Sequence, residues 1–454
     1  MVAAVSAVVT TGIYCCPGCG ARPDPSHVRP FPSAAAAEAA GFRACLRCRP
    51  YRLPGAPSAS DPELVCRAVG LVVAGFLDGA GEEDLGRRLG VSARHLRRLF
   101  SLHVGVTPDG LARSRRVHFA RRLLDDTDLP VSQVAAASGY GSLRQLDRAA
   151  RDVFRASPRE LRARRRSGDR LVADGGLVLR VPYEGPCDWP ALCAHLAPRA
   201  VPGVESVVGD VYRRTVELGG DTGVLEVGEG PPGELRLRAH LPHWEGLIHV
   251  VERVRRLAGV DTDHAAAAGH LADSSLLRPL VSARPGLRVP GAWDPFEAAV
   301  RVLVGQQVTV AGATRLAGRL VRAHGRPVGG LAPLGLTHRF PGPDDLAEAP
   351  LESLGLPSAR AGALRSLAAE VAADRVRLDR SVGLDELVSR LSELPGVGPW
   401  SAQSIALRAG EPDAFPATDL GLRRALAARG ATPADVEGWR PWRSLAAMHL
   451  WSAG

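Results

Sequence analysis

The sequence predicts a multidomain protein, mainly α-helical, with one small α+β domain. Three observations lead there. The chain has 454 residues, 45% of them hydrophobic, which is too long for a single core and enough for three or four. Its texture changes along the way: five of the eight cysteines fall in the first 50 residues, Arg-rich helical periodicity follows, then strand-like alternation, then helix to the end. Finally, breaker-rich stretches punctuate it: "LPGAPSASDPE" (53–63) reads as a linker ending in a helix start, and "RRRSGDR" (164–170) as a second break. The expected domains are 1–52, 60–166, 169–290 and 291–454.

All 57 residues of the Lys+Arg count are Arg, and Lys and Asn are absent, as codon bias in a GC-rich bacterial genome would produce. Lacking Lys, the chain cannot use a Schiff-base lysine. A net charge of +9 and a pI near 9.6 favour an anionic partner, nucleic acid first. No run of 18 apolar residues occurs, and the first ten residues lack the basic start of a signal peptide. The expectation is a bacterial cytoplasmic, nucleoid-associated protein with no membrane partner.

Residues 1–52 read as short, loop-like and organised by thiols. Cys15, Cys19, Cys45 and Cys48 give C-x3-C-x25-C-x2-C, a spacing that suits four thiolates around one Zn2+. A reducing cytoplasm favours metal ligation over disulfides, although on spacing alone disulfides, unpaired core thiols and a purely structural zinc knuckle stay open. Cys16 is left over. "TTGIYC" (10–15), "CPGC" (16–19) and "AGFRACLRCRP" (40–50) resemble the N-terminal metal domain of the Ada family. The resemblance implies that Cys15 accepts a methyl group from a methylphosphotriester in DNA, with Cys19, Cys45 and Cys48 as the remaining zinc ligands. There are two departures: only fourteen residues precede Cys15, and Cys16 stands where the family usually has Arg.

The next segment repeats one layout. "EEDLGRRLGVSARHLRRLF" (82–100) reads as helix, Gly-containing turn and second helix capped by Ser92. "VSQVAAASGYGSLRQLDRAARDVF" (131–154) repeats it, with Gly139 in the turn and Ser142 as cap. Paired helix-turn-helix units of this kind, closing on "SPRELR" (157–162), resemble the AraC-type DNA-binding domain. The recognition helices would present Arg94, His95 and Arg98, then Arg144, Gln145 and Arg148; Arg suits guanine edges and phosphates, and Gln suits adenine. A helical bundle with solvated Arg faces is the plainer reading of either unit alone.

Residues 169–290 carry strand-like "LVLRVPY", "GVLEVGE" and "ELRLRAHL" and the amphipathic helix "WEGLIHVVERVRRLAG". From there to the end the pattern is helical throughout. Within it, "LPGVGPWSAQSIAL" (394–407) sets a Gly-rich hairpin, with Gly396 and Gly398, between two helices. Such a turn offers backbone N–H groups to a DNA phosphate, often with a monovalent cation on its carbonyls. "FPATDLGLRRAL" (415–426) puts Asp419 at a helix start, where a simple N-cap is the plainer reading.

Together with "ARPGLRVPGAWDPFEAAVRVLVGQQVT" (283–309), "LGLPSARAGALRSLA" (354–368), "WRPWRSLAAMHLW" (439–451) and "DWPALCAHLAPRAVPGVESV" (188–207), these motifs resemble the helix-hairpin-helix DNA glycosylases, most closely the AlkA-type 3-methyladenine DNA glycosylase II family. The resemblance implies an N-terminal α+β domain before an all-α glycosylase domain, a catalytic carboxylate at Asp419, base-pocket aromatics at Trp400 and Trp451, and Gln307 where the family inserts an apolar wedge into the duplex. Ser404 stands where the family has a pocket Tyr. Branches with a C-terminal iron–sulfur cluster are disfavoured, because no Cys follows Cys193, and bifunctional branches need a Lys nucleophile.

The implied function is a monofunctional glycosylase that hydrolyses the N-glycosidic bond of alkylated purines, fused to an alkylation-sensing transcriptional regulator. Its partners would be damaged and promoter duplex DNA and RNA polymerase. The competing reading is an activator whose glycosylase half is inactive. An O6-alkylguanine transferase would need a Pro-Cys-His-Arg string, which does not occur.

Overall fold

The computed structural model describes residues 5–21, 23–52, 62–172 and 175–453. Most of the expected linker, residues 53–61, therefore lies outside the described residues; its end does open a helix, Glu63–Ala74. The chain forms two compact units, Met1–Tyr183 with Leu237–Glu252, and Glu184–Arg236 with Arg253–Gly454.

The first unit begins with a correction. The Cys-rich start is not loop-like: strands Val5–Val8, Ile13–Cys15, Val28–Phe31 and Arg43–Ala44 form one sheet, with the second and fourth paired in parallel. None exceeds four residues, too short for alternation to show against the cysteines and prolines. Pairing sets Ser6 opposite Cys15 and Tyr14 opposite Ala44, so the ends of two strands deliver Cys15 and Cys45 side by side.

Helix Ala34–Ala39 covers this sheet, capped by Ser33, whose Oγ accepts from the Ala36 N–H at 3.0 Å. It supplies Glu38 to a buried cluster. Tyr14 Oη donates to Glu38 at 2.6 Å, Ser114 Oγ donates to it at 2.7 Å, and His118 Nε2 bonds it at 2.5 Å. Ser114 and His118 belong to the long helix Pro108–Asp126. Its far end is held by Asp125, which accepts from Tyr51 Oη at 3.0 Å and pairs with Arg121 at 3.0 Å. Flanking this helix are two helix-turn-helix units: Glu82–Arg88 with Ala93–His103, and Val131–Ala137 with Leu143–Phe154.

In the second unit, helix Trp189–Leu196 precedes strands Glu205–Val208, Val211–Leu218 and Asp221–Glu229, an antiparallel meander. The first two strands escaped sequence reading, because Arg213, Arg214 and Glu205 interrupt their apolar pattern. The Leu218 to Asp221 hairpin turns on Gly219 and Gly220, both at positive φ of 60° and 91°, as a two-residue hairpin requires. Arg214 from this sheet donates to Glu297 of helix Pro295–Val304 at 2.8 Å, while Tyr212 Oη and Arg301 both bond Glu205, at 2.6 and 3.1 Å.

Helices then dominate to the end. Helix Pro295–Val304 packs on Pro399–Ala409 through Val300, Leu303, Ala402 and Ile405, all fully buried. The expectation of helix throughout is corrected at one place, where Arg326–Pro327 pairs with His338–Arg339 as a two-residue antiparallel ladder. Among the described residues, no helix is long and apolar enough to cross a membrane.

Candidate functional site

Asp419 precedes helix Leu420–Ala427, and the N-cap reading holds: Oδ1 accepts from the Leu422 N–H at 3.0 Å. The same carboxylate does more. Oδ1 also accepts from Trp451 Nε1 at 2.9 Å, and Oδ2 accepts from Trp400 Nε1 at 3.1 Å. Burial would raise its pKa, but hydrogen bonds from Trp451, Leu422 and Trp400 outweigh that and hold the carboxyl below its ordinary range. It is therefore an anion at neutral pH. Asp419, Trp400 and Trp451 line one cavity of about 810 Å3 in the second unit.

Beside this cavity, the hairpin runs from helix Leu384–Ser392 to helix Pro399–Ala409, whose N-cap is Gly398. With no capping side chain there, the first N–H groups of the helix are left for an incoming acceptor. Gly396 sits at φ 80°, and a Cβ on it would come within 3.1 Å of Ala363. Gln306 spans from the preceding loop, donating to the Gly396 carbonyl at 3.0 Å and to Ser401 Oγ at 2.8 Å, while Arg360 donates to the Gln306 carbonyl at 2.5 Å. Next to it, Gln307 is exposed at φ 57°, a left-handed conformation rare for a side chain of its size, and is flanked by exposed Val308 and Val310.

In the first unit, the sulfurs of Cys15, Cys19, Cys45 and Cys48 all lie within 4.8 Å of one another, a donor set that fits one tetrahedral zinc. As a bare thiol Cys15 resists ionisation: burial first, then the neighbouring Cys45 and Cys19, push it up to about 12. A bound cation reverses that preference by stabilising thiolates. Cys15 and Cys45 are buried, whereas Cys19 and Cys48 are partly open. Cys16 lies against Cys48 and hydrogen-bonds it, outside the set of four.

The predicted caps of the recognition helices are present. Ser92 Oγ accepts from the His95 N–H at 3.2 Å and Ser142 Oγ from the Gln145 N–H at 3.3 Å. Arg94, Arg98, Arg144, Gln145 and Arg148 are exposed. Gln145 Oε1 accepts from the Gly141 N–H at 3.1 Å, so its amide nitrogen is the freer end.

Three family descriptions match the chain: the metal binding domain of Ada over residues 3–51, a helix-turn-helix domain over 85–164, and the AlkA N-terminal domain over 178–294. A probable bifunctional transcriptional activator/DNA repair enzyme AlkA of Mycobacterium tuberculosis is 40% identical over 99% of this chain and 92% of its own length. The chain belongs to the AlkA family. The DNA-3-methyladenine glycosylase 2 of Escherichia coli is 32% identical over 59% of this chain and 95% of its own length. Among solved structures, a 3-methyladenine DNA-glycosylase from Archaeoglobus fulgidus shares the fold, with a TM-score of 0.52 and 20% identity over 60% of this chain and 96% of that one.

The AlkA-type half also holds residues that sequence reading missed. A Cβ on Gly421 would meet Asp419 Oδ1 at 3.1 Å and Trp451 Cδ1 at 3.3 Å, so a side chain there would crowd the indole off the carboxylate. Gln306 and Ser401 tie the loop of Gln307 to the hairpin. The doubled Gln in "GQQV" and the Gly two residues after Asp419 were the visible signals, and neither says where its side chain lies.

Proposed function

We propose that this chain is a monofunctional DNA glycosylase for alkylated bases, joined to a DNA-binding regulator that senses alkylation at a zinc-thiolate centre. The observation that carries the enzymatic half is the ionised carboxylate of Asp419, held by two indole N–H groups in the wall of a cavity with room for a flipped base. A base flipped out of the duplex enters that cavity. As its N-glycosidic bond breaks, the bonding pair leaves with the base and positive charge grows on the sugar. The fixed anion of Asp419 stabilises that charge until water adds at the sugar carbon and gives up a proton. With no Lys available for a covalent sugar adduct, the product is an intact abasic site.

The supporting parts are placed for DNA. Gly396 and Gly398 shape the hairpin whose N–H groups would take a phosphate, with a monovalent cation on its carbonyls; one of these, that of Gly396, already accepts from Gln306. Gln307 would fill the gap left by the flipped base. The decisive experiment incubates the protein with duplexes carrying 3-methyladenine or 7-methylguanine and measures released base. Release that Asp419→Asn reduces about 100-fold or more supports the reading; absence of release, with intact promoter binding, favours an activator with an inactive glycosylase half.

For the regulatory half, Cys15, Cys19, Cys45 and Cys48 would hold one Zn2+, which keeps thiolates available at neutral pH. Cys15 is the proposed acceptor: its sulfur forms a bond to the methyl carbon of a methylphosphotriester, and the phosphodiester departs as an anion. Loss of one thiolate charge would lessen repulsion from DNA. Arg94, Arg98, Arg144, Gln145 and Arg148 would read a promoter, with RNA polymerase as the downstream partner at the bacterial nucleoid.

A further inference from the structure

A residue as large as Gln307 keeps a φ of 57° only where its surroundings impose it. Where its side chain points depends on the peptide plane before it, which carries the Gln306 carbonyl. That residue is held at both ends. Gln306 Nε2 donates to the Gly396 carbonyl at 3.0 Å and to Ser401 Oγ at 2.8 Å, which uses both of its N–H groups, and the Gln306 carbonyl accepts from Arg360 Nη2 at 2.5 Å.

Arg360 comes from a third stretch of chain. It lies in the first turn of helix Ser358–Ala372, whose N-cap, Pro357, makes no side-chain cap. A cation there opposes the helix dipole, so the helix itself gains nothing from it. The half-buried guanidinium instead reaches a carbonyl 54 residues away in sequence, and a bond from a charged donor is about twice as strong as a neutral one. The start of this helix also packs on the hairpin: a Cβ on Gly396 would meet Ala363 at 3.1 Å and the Ala359 carbonyl at 3.8 Å. Loop, helix start and hairpin thus brace one another behind the exposed Gln307.

A base that leaves the duplex opens a hole, and the lost stacking draws it back. A side chain that fills the hole opposes this best when it arrives already aimed, because a loop free to swing loses that freedom on insertion.

We propose that Arg360 is a positioning residue for this wedge: through the Gln306 carbonyl it fixes the peptide that aims Gln307 into the duplex, and so raises the fraction of lesion base held out of the stack. This rests on the glycosylase reading above, with Gln307 as the gap-filling side chain. A direct bond from Arg360 to a DNA phosphate is the competing role.

The test is a double-mutant cycle between Arg360→Ala and Gln307→Gly in the full-length protein. Glycine accepts the positive φ without strain and removes only the side chain. One duplex carries 7-methylguanine on a 2′-fluoro sugar, which resists bond cleavage, beside a 2-aminopurine whose fluorescence rises as its neighbour unstacks. A second duplex, with an ordinary sugar, reports single-turnover base release.

Arg360→Ala and Gln307→Gly should each lower the flipping equilibrium and the release rate about tenfold, while the double variant stays within about twofold of Gln307→Gly alone. Arg360→Lys keeps a donor for the carbonyl; it should recover part of the loss, and it keeps the cycle readable where the alanine variant folds poorly. Additive losses, as a phosphate contact or a general packing role would give, overturn the positioning and leave the glycosylase reading standing. So do an Arg360→Ala signal equal to the parent's, a Gln307→Gly signal equal to the parent's, and a parent that raises no fluorescence. The expected fluorescence pattern without any base release overturns the enzymatic reading and leaves the positioning.

Discussion

Trp451 Nε1 and Asp419 Oδ1, 32 residues apart in sequence, are joined by a hydrogen bond of 2.9 Å, and the same oxygen caps a helix through Leu422 at 3.0 Å. One atom thus serves both structure and chemistry. Removing the indole N–H in Trp451→Phe lets burial act with less opposition, so the carboxyl pKa rises. The active form is the anion, so the acid limb of base release moves to higher pH, by about one pH unit for a bond to a charged group. The matching stability effect has the same sign. A depressed folded-state pKa adds stability above the unfolded value of about 3.9, lost as pH falls through the folded value, and the variant has less to lose. A profile that does not move would show that the indole is not what holds Asp419 ionised.

Gln306 couples the loop of Gln307 to the hairpin by two hydrogen bonds. Gln306→Ala should weaken binding to lesion duplex about tenfold with a smaller effect on the single-turnover rate, since it removes two bonds of about 1 kcal/mol each that position DNA contacts and none that touches Asp419. Binding curves and single-turnover rates separate the two.

Metal content distinguishes the five N-terminal cysteines. Cys16→Ser should retain one zinc per chain by atomic emission, whereas Cys45→Ser should lose it and destabilise the first unit, because it removes one of the four thiols whose metal binding is coupled to folding. Mass spectrometry after exposure to methylphosphotriester DNA should place a methyl on Cys15. A methyl on the more open Cys19 or Cys48 would reassign the acceptor.

The buried Arg214–Glu297 pair at 2.8 Å joins a strand to the helix beside the cavity. Arg214→Met leaves buried Glu297 with only its longer pair to Arg301 at 3.3 Å, at a cost of up to about 3–5 kcal/mol, read as a fall in urea midpoint. Restoring neutrality with Glu297→Gln in the same chain should recover part of it.

Arg144 is exposed near the start of its recognition helix. Arg144→Ala should reduce promoter affinity and, where it contacts a phosphate, lower the salt slope by about one, while base release from lesion duplex stays at the parent level.

Much of this architecture was legible in the chain. The cysteine spacing, both Ser caps and the hairpin glycines are local signals, set by a few neighbouring residues, and each appears where it was read. The sheet of the first 52 residues and the strands around Arg213 and Arg214 were hidden because short or charged strands carry no clean alternation. At the site, Asp419 and its two Trp residues could be named, but their relation could not. The indoles were expected only as base-pocket aromatics; in the structure their N–H edges also hold the carboxylate. The partners of Gln306, namely Arg360, Gly396 and Ser401, come from separate stretches of chain that folding alone brings together.

The Glu38 cluster has a bearing on how such a chain could have been assembled. Glu38 and Tyr14 come from the thiol-bearing sheet, Ser114 and His118 from the helix that supports both DNA-reading motifs. Severed between residues 52 and 62, each fragment would carry half of a buried polar junction into water. The thiol-bearing sheet and the helix-turn-helix segment therefore share one buried junction: a chain carrying either without the other would strand a polar group.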